Sequence, residues 1–212
     1  MNLSTLCTAT ALTALAAAPA SAVPVTVADF ETTVAPFSFS GDTTAVSPGL
    51  AGTSTAAGRT TDSTSGNFLE LGRLDLSGIA ATIDPSNPFV TFLAQFDEDG
   101  SLDDGEFANI DVVNADGFSF LPTTNQNLVA GSNEGTEQTL TVDLTNALAS
   151  LQNPLTDSSL VFFASVSNDG NDIAAVSGDF RLDEFQINAV PEPASLALLG
   201  LGGIALLGRR RK

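Results

Sequence analysis

The 212-residue chain contains no His, Trp or Tyr, and it has a single Cys and a single Met. Without His it can form neither a Ser-His nor a Cys-His nucleophile pair, and it offers no imidazole ligand to a metal. Cations are scarce as well, because seven Lys and Arg stand against 25 Asp and Glu, for a net charge of -18. Such an acidic surface argues against nucleic-acid binding, which needs clustered positive charge.

The N-terminal segment is made of apolar and small residues. It ends in Ala20-Ser21-Ala22, the small-residue pattern that signal peptidase needs, so residues 1–22 are predicted to be a signal peptide cleaved after Ala22. The segment departs from the usual pattern in having no Lys or Arg before the apolar run. Because Cys7 and the only Met lie here, the mature chain is expected to have no disulfide and no thiolate metal site.

The C-terminal segment, residues 190–212, consists of three parts in sequence. Pro191-Glu192-Pro193 comes first, an apolar run of 15 residues (194–208) follows, and the chain ends in four cations, Arg209, Arg210, Arg211 and Lys212. A helix of that length reaches about 22 Å, which is short for a hydrocarbon core of about 30 Å. The run is predicted to be a short transmembrane helix whose cations stay in the cytoplasm, with the preceding chain outside.

This tail resembles the PEP-CTERM sorting signal of Gram-negative bacteria. The resemblance covers the last 22 residues or so and rests on the three parts occurring in the right order. It implies that an exosortase, a membrane enzyme, recognises Pro191, Glu192 and Pro193 and processes the tail. It also implies passage through the inner membrane to the cell surface or extracellular matrix, in species that make extracellular polysaccharide. The two prolines disfavour helix, so we expect the motif to be an extended peptide.

The central region, residues 23–189, is predicted to fold as one acidic domain, and it contains three of the seven basic residues, Arg59, Arg73 and Arg181. Apolar and polar residues alternate in several runs, which is typical of half-buried strands. The clearest runs are 68–76, 89–96, 108–113, 138–144, 160–166 and 180–187, and shorter ones are 25–30, 37–40, 79–83, 117–121 and 173–177. One short helix is predicted at 146–152, and residues 38–65 are predicted to be a long loop or irregular strands. The pattern predicts an all-β fold, an antiparallel β-sandwich.

The last run breaks its own alternation. Phe180 and Leu182 share one face, whereas Phe185 and Ile187 would lie on the other. A β-bulge at Asp183-Glu184 is the simplest explanation of the slip.

The two ends of the central region carry a second resemblance. The chain begins this region with Ala28-Asp29-Phe30-Glu31 and ends it with the run 180–187, and in this it resembles jelly-roll carbohydrate-binding modules, whose first and last strands lie side by side. The resemblance implies a jelly-roll-like sandwich with a structural calcium ion held by Asp29, Glu31 and Asp183. The alternative is that these are solvated charges on edge strands.

Residues 96–107 form a second candidate calcium site. Six carboxylates lie within ten positions, among them Asp97, Asp99 and Asp103, and oxygen-rich loops suit calcium. The loop begins like an EF-hand, but Leu102 stands where the turn needs Gly and Ala108 where it needs Glu. A solvated acidic hairpin is the alternative.

Three functions are compatible with these features. The first is a non-enzymatic exported protein of the envelope or extracellular matrix that associates with exopolysaccharide, although sugar-binding faces usually use Trp or Tyr and most Phe here fall at core-like positions. The second is a carbohydrate-active enzyme with paired carboxylates, although no spacing singles out two. The third is an ice-binding protein, for which Thr139 and Thr141 form one pair of a Thr array.

Overall fold

The structure, a computed structural model, describes residues 22–31, 35–63, 67–98, 107–125, 128, 135–153, 157–167 and 176–190. The described strands are β1 (Val23–Ala28), β2 (Phe37–Phe39), β3 (Thr44–Val46), β4 (Ala56–Ser63), β5 (Asn67–Asp75), β6 (Phe89–Glu98), β7 (Phe107–Asn114), β8 (Ser119–Phe120), β9 (Thr123–Thr124), β10 (Gln138–Asp143), β11 (Ser159–Ser167) and β12 (Val176–Ala189). Two 3-10 helices, Ala80–Thr82 and Asp116–Phe118, and the short helix α1 (Leu148–Leu151) complete this part of the chain.

Residues 22–190 form one compact unit of the chain. Residues 1–21 and 191–212 lie outside the described residues, and with them the predicted signal peptide, the Pro191-Glu192-Pro193 motif, the apolar run and the basic tail. No helix among the described residues has the length and apolarity that a membrane crossing requires.

Residues 22–190 form two antiparallel sheets packed face to face. The larger sheet has the order β3-β4-β12-β6-β10-β9, with β1 also paired to β12, and the smaller has the order β2-β5-β11-β7-β8. The first and last strands lie side by side, with Val23 opposite Ala189. The predicted all-β sandwich is therefore confirmed, including the adjacency of its end strands.

The strand predictions fail where local turns replace extended chain. Residues 79–83 are not a strand, because the amides of Ile79 and Ala80 both donate to the carbonyl of Leu76 and start a 3-10 helix. Within residues 38–65, the structure contains most of β2 and all of β3 and β4. The predicted helix 146–152 is confirmed as α1, and residues 173–175 of another predicted strand lie outside the described residues.

A cluster of phenylalanine rings fills the space between the sheets. The ring of Phe185 lies 5.0 Å from that of Phe162, 5.2 Å from Phe37 and 5.3 Å from Phe92, measured between centroids. Phe185, Phe162 and Phe92 are at most 1% exposed. Such edge-to-face and stacked contacts add about 0.5–1.5 kcal/mol per pair to the stabilisation from burial.

The predicted β-bulge in β12 is what brings Phe185 into this cluster. The pairing of β12 with β6 shifts register between Asp183 and Gln186, and Glu184 has a left-handed φ of 52°. The shift returns Phe185 to the side already occupied by Phe180 and Leu182, and all three are buried. The bulge leaves Asp183 on the opposite side of the strand, facing away from the core.

Candidate functional site

Asp183 is a carboxylate buried beneath a turn, although it lies on the outer face of the larger sheet. Its Oδ2 accepts hydrogen bonds from the Leu50 amide at 3.0 Å and from the Thr53 hydroxyl at 2.6 Å, and its Oδ1 accepts one from the Glu184 amide at 2.8 Å. Burial raises the pKa of Asp183 and these three bonds oppose the rise, while the nearby charge of Glu31 adds to it. The carboxylate therefore anchors the connection between β3 and β4.

Two further carboxylates hold the same turn. Glu137 accepts a hydrogen bond from the Ala51 amide at 2.9 Å, and Glu31 accepts one from the Ser54 amide. The bond from Ser54 lowers the pKa of Glu31. Asp29 lies two residues before Glu31, and its Oδ1 accepts a hydrogen bond from the Glu31 amide at 3.2 Å. The three predicted ligands Asp29, Glu31 and Asp183 are thus neighbours, and their oxygens bind amide and hydroxyl groups.

The geometry gives these carboxylates a structural role. A raised pKa beside a lowered one is a pattern found in acid-base catalysis, but Asp183 is fully buried, with both oxygens engaged by the turn and the bulge. In the part of the chain that the structure describes, no three side chains form a group that could hold a metal ion. Calcium at Asp29, Glu31 and Asp183 stays a prediction.

Of the three candidate calcium ligands in the acidic loop, the structure describes one, Asp97. Asp97 is exposed near the end of β6 and lies opposite Asp179 of β12. Asp99 and Asp103 lie outside the described residues. The calcium hypothesis for this loop also stays a prediction.

The outer face of the smaller sheet carries an aromatic surface that sequence reasoning missed. Phe68, Phe118 and Phe120 are each about 60% exposed, and Phe163 is half-buried beside them. The Phe118 ring lies 6.0 Å from the Phe163 ring and 6.3 Å from the Phe120 ring. We call these four residues the phenylalanine surface. At about 4.8 Å per strand, its span from β8 to β5 is about 14 Å.

Strand register explains why these rings point outward. Phe163 lies opposite Glu70 on β5 and Asp111 on β7, and Phe120 lies opposite Val113. Directly opposed residues share a face, so the rings alternate with carboxylates on the side away from the core. Val113 and Val161, on the same face, are buried beneath this layer.

Phe118 is held outward at a cost to the backbone. Its φ is 48°, a region that bulky side chains seldom adopt, and such strain is concentrated at functional sites. The preceding turn is fixed by the Asn114 side chain, which accepts the Asp116 amide at 3.2 Å, and by the Ser150 hydroxyl, which donates to Asp116. The backbone that carries the exposed ring is therefore held in place by this turn.

The larger sheet extends the threonine pair on which the ice-binding hypothesis rests. Thr141 of β10 lies opposite Thr91 on β6 and opposite Thr124 on β9. The Thr124 hydroxyl accepts a hydrogen bond from the Thr141 amide at 3.1 Å, so this hydroxyl takes part in the pairing of β9 with β10. One row of three residues is shorter than the regular array that the hypothesis needs.

The comparison with family models decides the nature of the C-terminal segment. Residues 189–212 match the model described as the PEP-CTERM protein-sorting motif. The chain carries a PEP-CTERM sorting motif. The resemblance inferred from the tail is confirmed, and a PEP-CTERM motif indicates export and membrane-associated sorting in a Gram-negative bacterium. No curated protein matches the chain.

Several solved structures are similar to this chain, at low identity. SGBP-B from a xyloglucan utilization locus in Bacteroides uniformis is 12% identical over 78% of this chain and 49% of that one, with a TM-score of 0.47. A structure with a xylogluco-oligosaccharide is 16% identical over 77% and 38%, with a TM-score of 0.48. The CBM22-1 xylan-binding domain of Paenibacillus barcinonensis Xyn10C is 14% identical over 83% and 99%, with a TM-score of 0.41.

These neighbours include a xylan-binding domain. The chain spans about half of the first neighbour and less of the second. At this level of similarity, the neighbours' ligands carry no argument about this chain.

We expect the wild-type chain to lose stability relative to Asp183→Asn as the pH rises. Because the pKa of Asp183 is raised, the folded chain holds this proton more tightly than the unfolded chain, whose Asp pKa is about 3.9. The stability that Asp183 contributes is complete below a pH of about 3.9 and is lost as the pH rises through the raised pKa of the folded chain. Urea unfolding of both chains with a chelator, from about pH 3.5 to 7.5, measures the difference.

Asp143→Asn is the matched control. Hydrogen bonds from Thr145 lower the pKa of Asp143, so the wild-type advantage over this variant should grow as the pH rises through the ordinary Asp range. If the stability advantage of the wild type over Asp183→Asn also grows as the pH rises, the claim that burial raises the pKa of Asp183 is wrong.

Calcium binding is tested separately by thermal melting. If either predicted site exists, calcium at about 100 times its Kd should add about 2.7 kcal/mol to the free energy of unfolding. Asp97→Asn should abolish the shift if the ion binds in the acidic loop, and preserve it if the ion lies near Asp183. Identical melting curves in millimolar calcium and in EDTA would remove both sites.

Proposed function

We propose that this protein is a non-enzymatic component of the cell surface or extracellular matrix that binds exopolysaccharide through the phenylalanine surface. Export and sorting rest on the PEP-CTERM motif at residues 189–212. The observation that carries the binding function is the group of exposed rings on a preorganised sheet, flanked by Glu70 and Asp111.

The chemistry of the phenylalanine surface favours a sugar polymer. Aromatic rings pack against the apolar faces of sugar rings, and neighbouring carboxylates accept hydrogen bonds from hydroxyl groups. The chain's net charge of -18 repels anionic lipid headgroups and polyanions. We therefore infer a neutral or amino-sugar polysaccharide as the occupant.

A non-enzymatic role is supported by the position of the carboxylates. Asp183, the described carboxylate whose pKa is raised, is closed off by the turn from Leu50 to Ser54. On the phenylalanine surface, Glu70 accepts a hydrogen bond from Arg73 at 2.9 Å and Asp111 accepts one from Ser165. Both carboxylates are therefore engaged by neighbouring side chains.

Processing by an exosortase and signal peptidase completes the proposal. The mature protein should lack residues 1–22 and should be cleaved near Pro191. Mass spectrometry of the exported protein in its native host measures both ends. Recovery of the intact chain from the cytosol, with both terminal segments retained, would contradict the sorting proposal.

Removal of two exposed rings should weaken polysaccharide binding. Each ring is expected to contribute about 0.5–1.5 kcal/mol, so Phe118→Ser with Phe120→Ser should raise the Kd by about fivefold to 150-fold. Co-sedimentation with exopolysaccharide purified from the host measures this. Val25→Ser, which removes a 44% exposed apolar side chain from the other sheet, is the control and should bind like the wild type.

The same samples test the alternatives. Reducing ends that appear on incubation, and disappear on mutation of one carboxylate, would indicate an enzyme. Thermal hysteresis would indicate ice binding. Equal binding by wild type and the double Phe variant would sink the proposed surface, whatever the fate of the sorting proposal.

A further inference from the structure

A hollow on the outer face of the larger sheet has a composition unlike the rest of this acidic domain. It has a volume of about 310 Å³, and its lining includes Asp42, Thr44, Ser47, Gly58, Asp179 and Arg181. Gly58 of β4 lies opposite Thr44 of β3 on one side and opposite Arg181 of β12 on the other. The side chain of Val46 packs against Gly58, where an added Cβ would lie 2.3 Å from it, and both residues line the hollow. We call this space the Gly58 hollow.

Arg181 differs from the other two arginines of the described part. Arg73 pairs with Glu70 at 2.9 Å, and Arg59 lies 4.0 Å from Asp42 while donating to the carbonyl of Glu70. Arg181 forms no ion pair within the described ranges, and its NH1 makes a long hydrogen bond of 3.5 Å to the carbonyl of Pro48. An arginine without an acidic partner is unexpected in a chain with 25 Asp and Glu.

The wall of the hollow that includes Ser47 is itself fixed. It belongs to the connection between β3 and β4, which Asp183 anchors through Leu50 and Thr53. The opposite wall is the sheet. A site built from a sheet and an anchored turn needs little reorganisation to bind a ligand.

The lining of the Gly58 hollow offers both donors and acceptors, beside the apolar Val46 and Phe180. The Arg181 guanidinium supplies donors, Asp42 and Asp179 supply acceptors, and the hydroxyls of Thr44 and Ser47 can act as either. The hydroxyls of a sugar offer the complementary acceptors and donors. Two arginines and two aspartates line the hollow, so the balance of charge favours a neutral ligand.

We propose that the Gly58 hollow binds a single neutral sugar unit, held through its hydroxyls by Arg181 and Asp179. The volume suits a monosaccharide or the end of a chain and is at the lower limit of small-molecule sites. This inference rests on the proposed function in that polysaccharide is the source of the sugar. It adds a second binding site on the face of the sandwich opposite to the phenylalanine surface, so that one molecule links two polysaccharide strands.

The first experiment uses the purified full-length chain and a panel of methyl glycosides of glucose, galactose and mannose. Binding should shift the NMR signal of the Gly58 amide. Charged hydrogen bonds contribute about 1.5–3 kcal/mol, so Arg181→Gln should weaken binding about tenfold or more. Thr44→Val should weaken it less, because it removes one hydroxyl at nearly constant shape.

Arg73→Gln is the control for charge, since it removes the same charge from the other sheet and should leave the Gly58 shift unchanged. A shift produced by glucuronate or inorganic phosphate, with none from the neutral glycosides, would overturn the proposal in favour of an anion site. Neutral glycosides that bind Arg181→Gln as well as the wild type would also overturn it.

The second experiment separates this inference from the proposed function. Wild type should cross-link host polysaccharide and raise its viscosity, whereas Arg181→Gln should still co-sediment with the polymer without cross-linking it. Loss of co-sedimentation only in the double Phe variant, with cross-linking unchanged by Arg181→Gln, would remove the Gly58 hollow and leave the phenylalanine surface. A wild type that binds no polysaccharide would remove both.

Discussion

The bulge at Asp183 and Glu184 is the constraint on which the two faces of the domain depend. By shifting register against β6, it places Phe185 among the rings between the sheets and leaves Asp183 facing outward. Asp183 then binds the connection between β3 and β4, which covers it and forms one wall of the Gly58 hollow. A regular strand would put either Phe185 or Phe180 in solvent, because side chains alternate strictly along unbulged chain.

The high negative charge is compatible with a stable fold because many carboxylates serve as acceptors for turn amides. Asp75, Asp84 and Asp143 each accept an amide two residues ahead at 2.8 to 2.9 Å. The turn at residues 50–54 is held in the same way by carboxylates distant in the sequence. Its amides donate to Glu31, Glu137 and Asp183. The hydrogen bonds lower the pKa of Asp143 and Glu31, whereas at Asp183 burial outweighs them and raises the pKa. Each of these carboxylates holds a turn in place.

Sequence patterns predicted the sandwich because alternation and the phase slip in β12 are local signals, readable without knowledge of partners. The phenylalanine surface was missed because Phe68 and Phe163 occupy strands in which both faces carry apolar residues, so alternation alone does not tell which face is the core. The register shift between Phe162 and Phe163 also changes the phase inside a strand. Likewise, the Gly58 hollow is lined by residues from three strands, so no spacing of residues within one strand predicts it.

The two surfaces make different demands on a polymer, and the difference follows from their shapes. The phenylalanine surface is a row of exposed rings that extends over several strands, so it can contact successive units along a chain and gains affinity with length. In the proposed role, the Gly58 hollow holds a single sugar unit through its hydroxyls, because its volume of about 310 Å³ suits one ring. Two weak sites on opposite faces cannot both bind one short stretch of polymer. They act together only where strands are dense, as in a matrix, because there the second encounter occurs at high effective concentration.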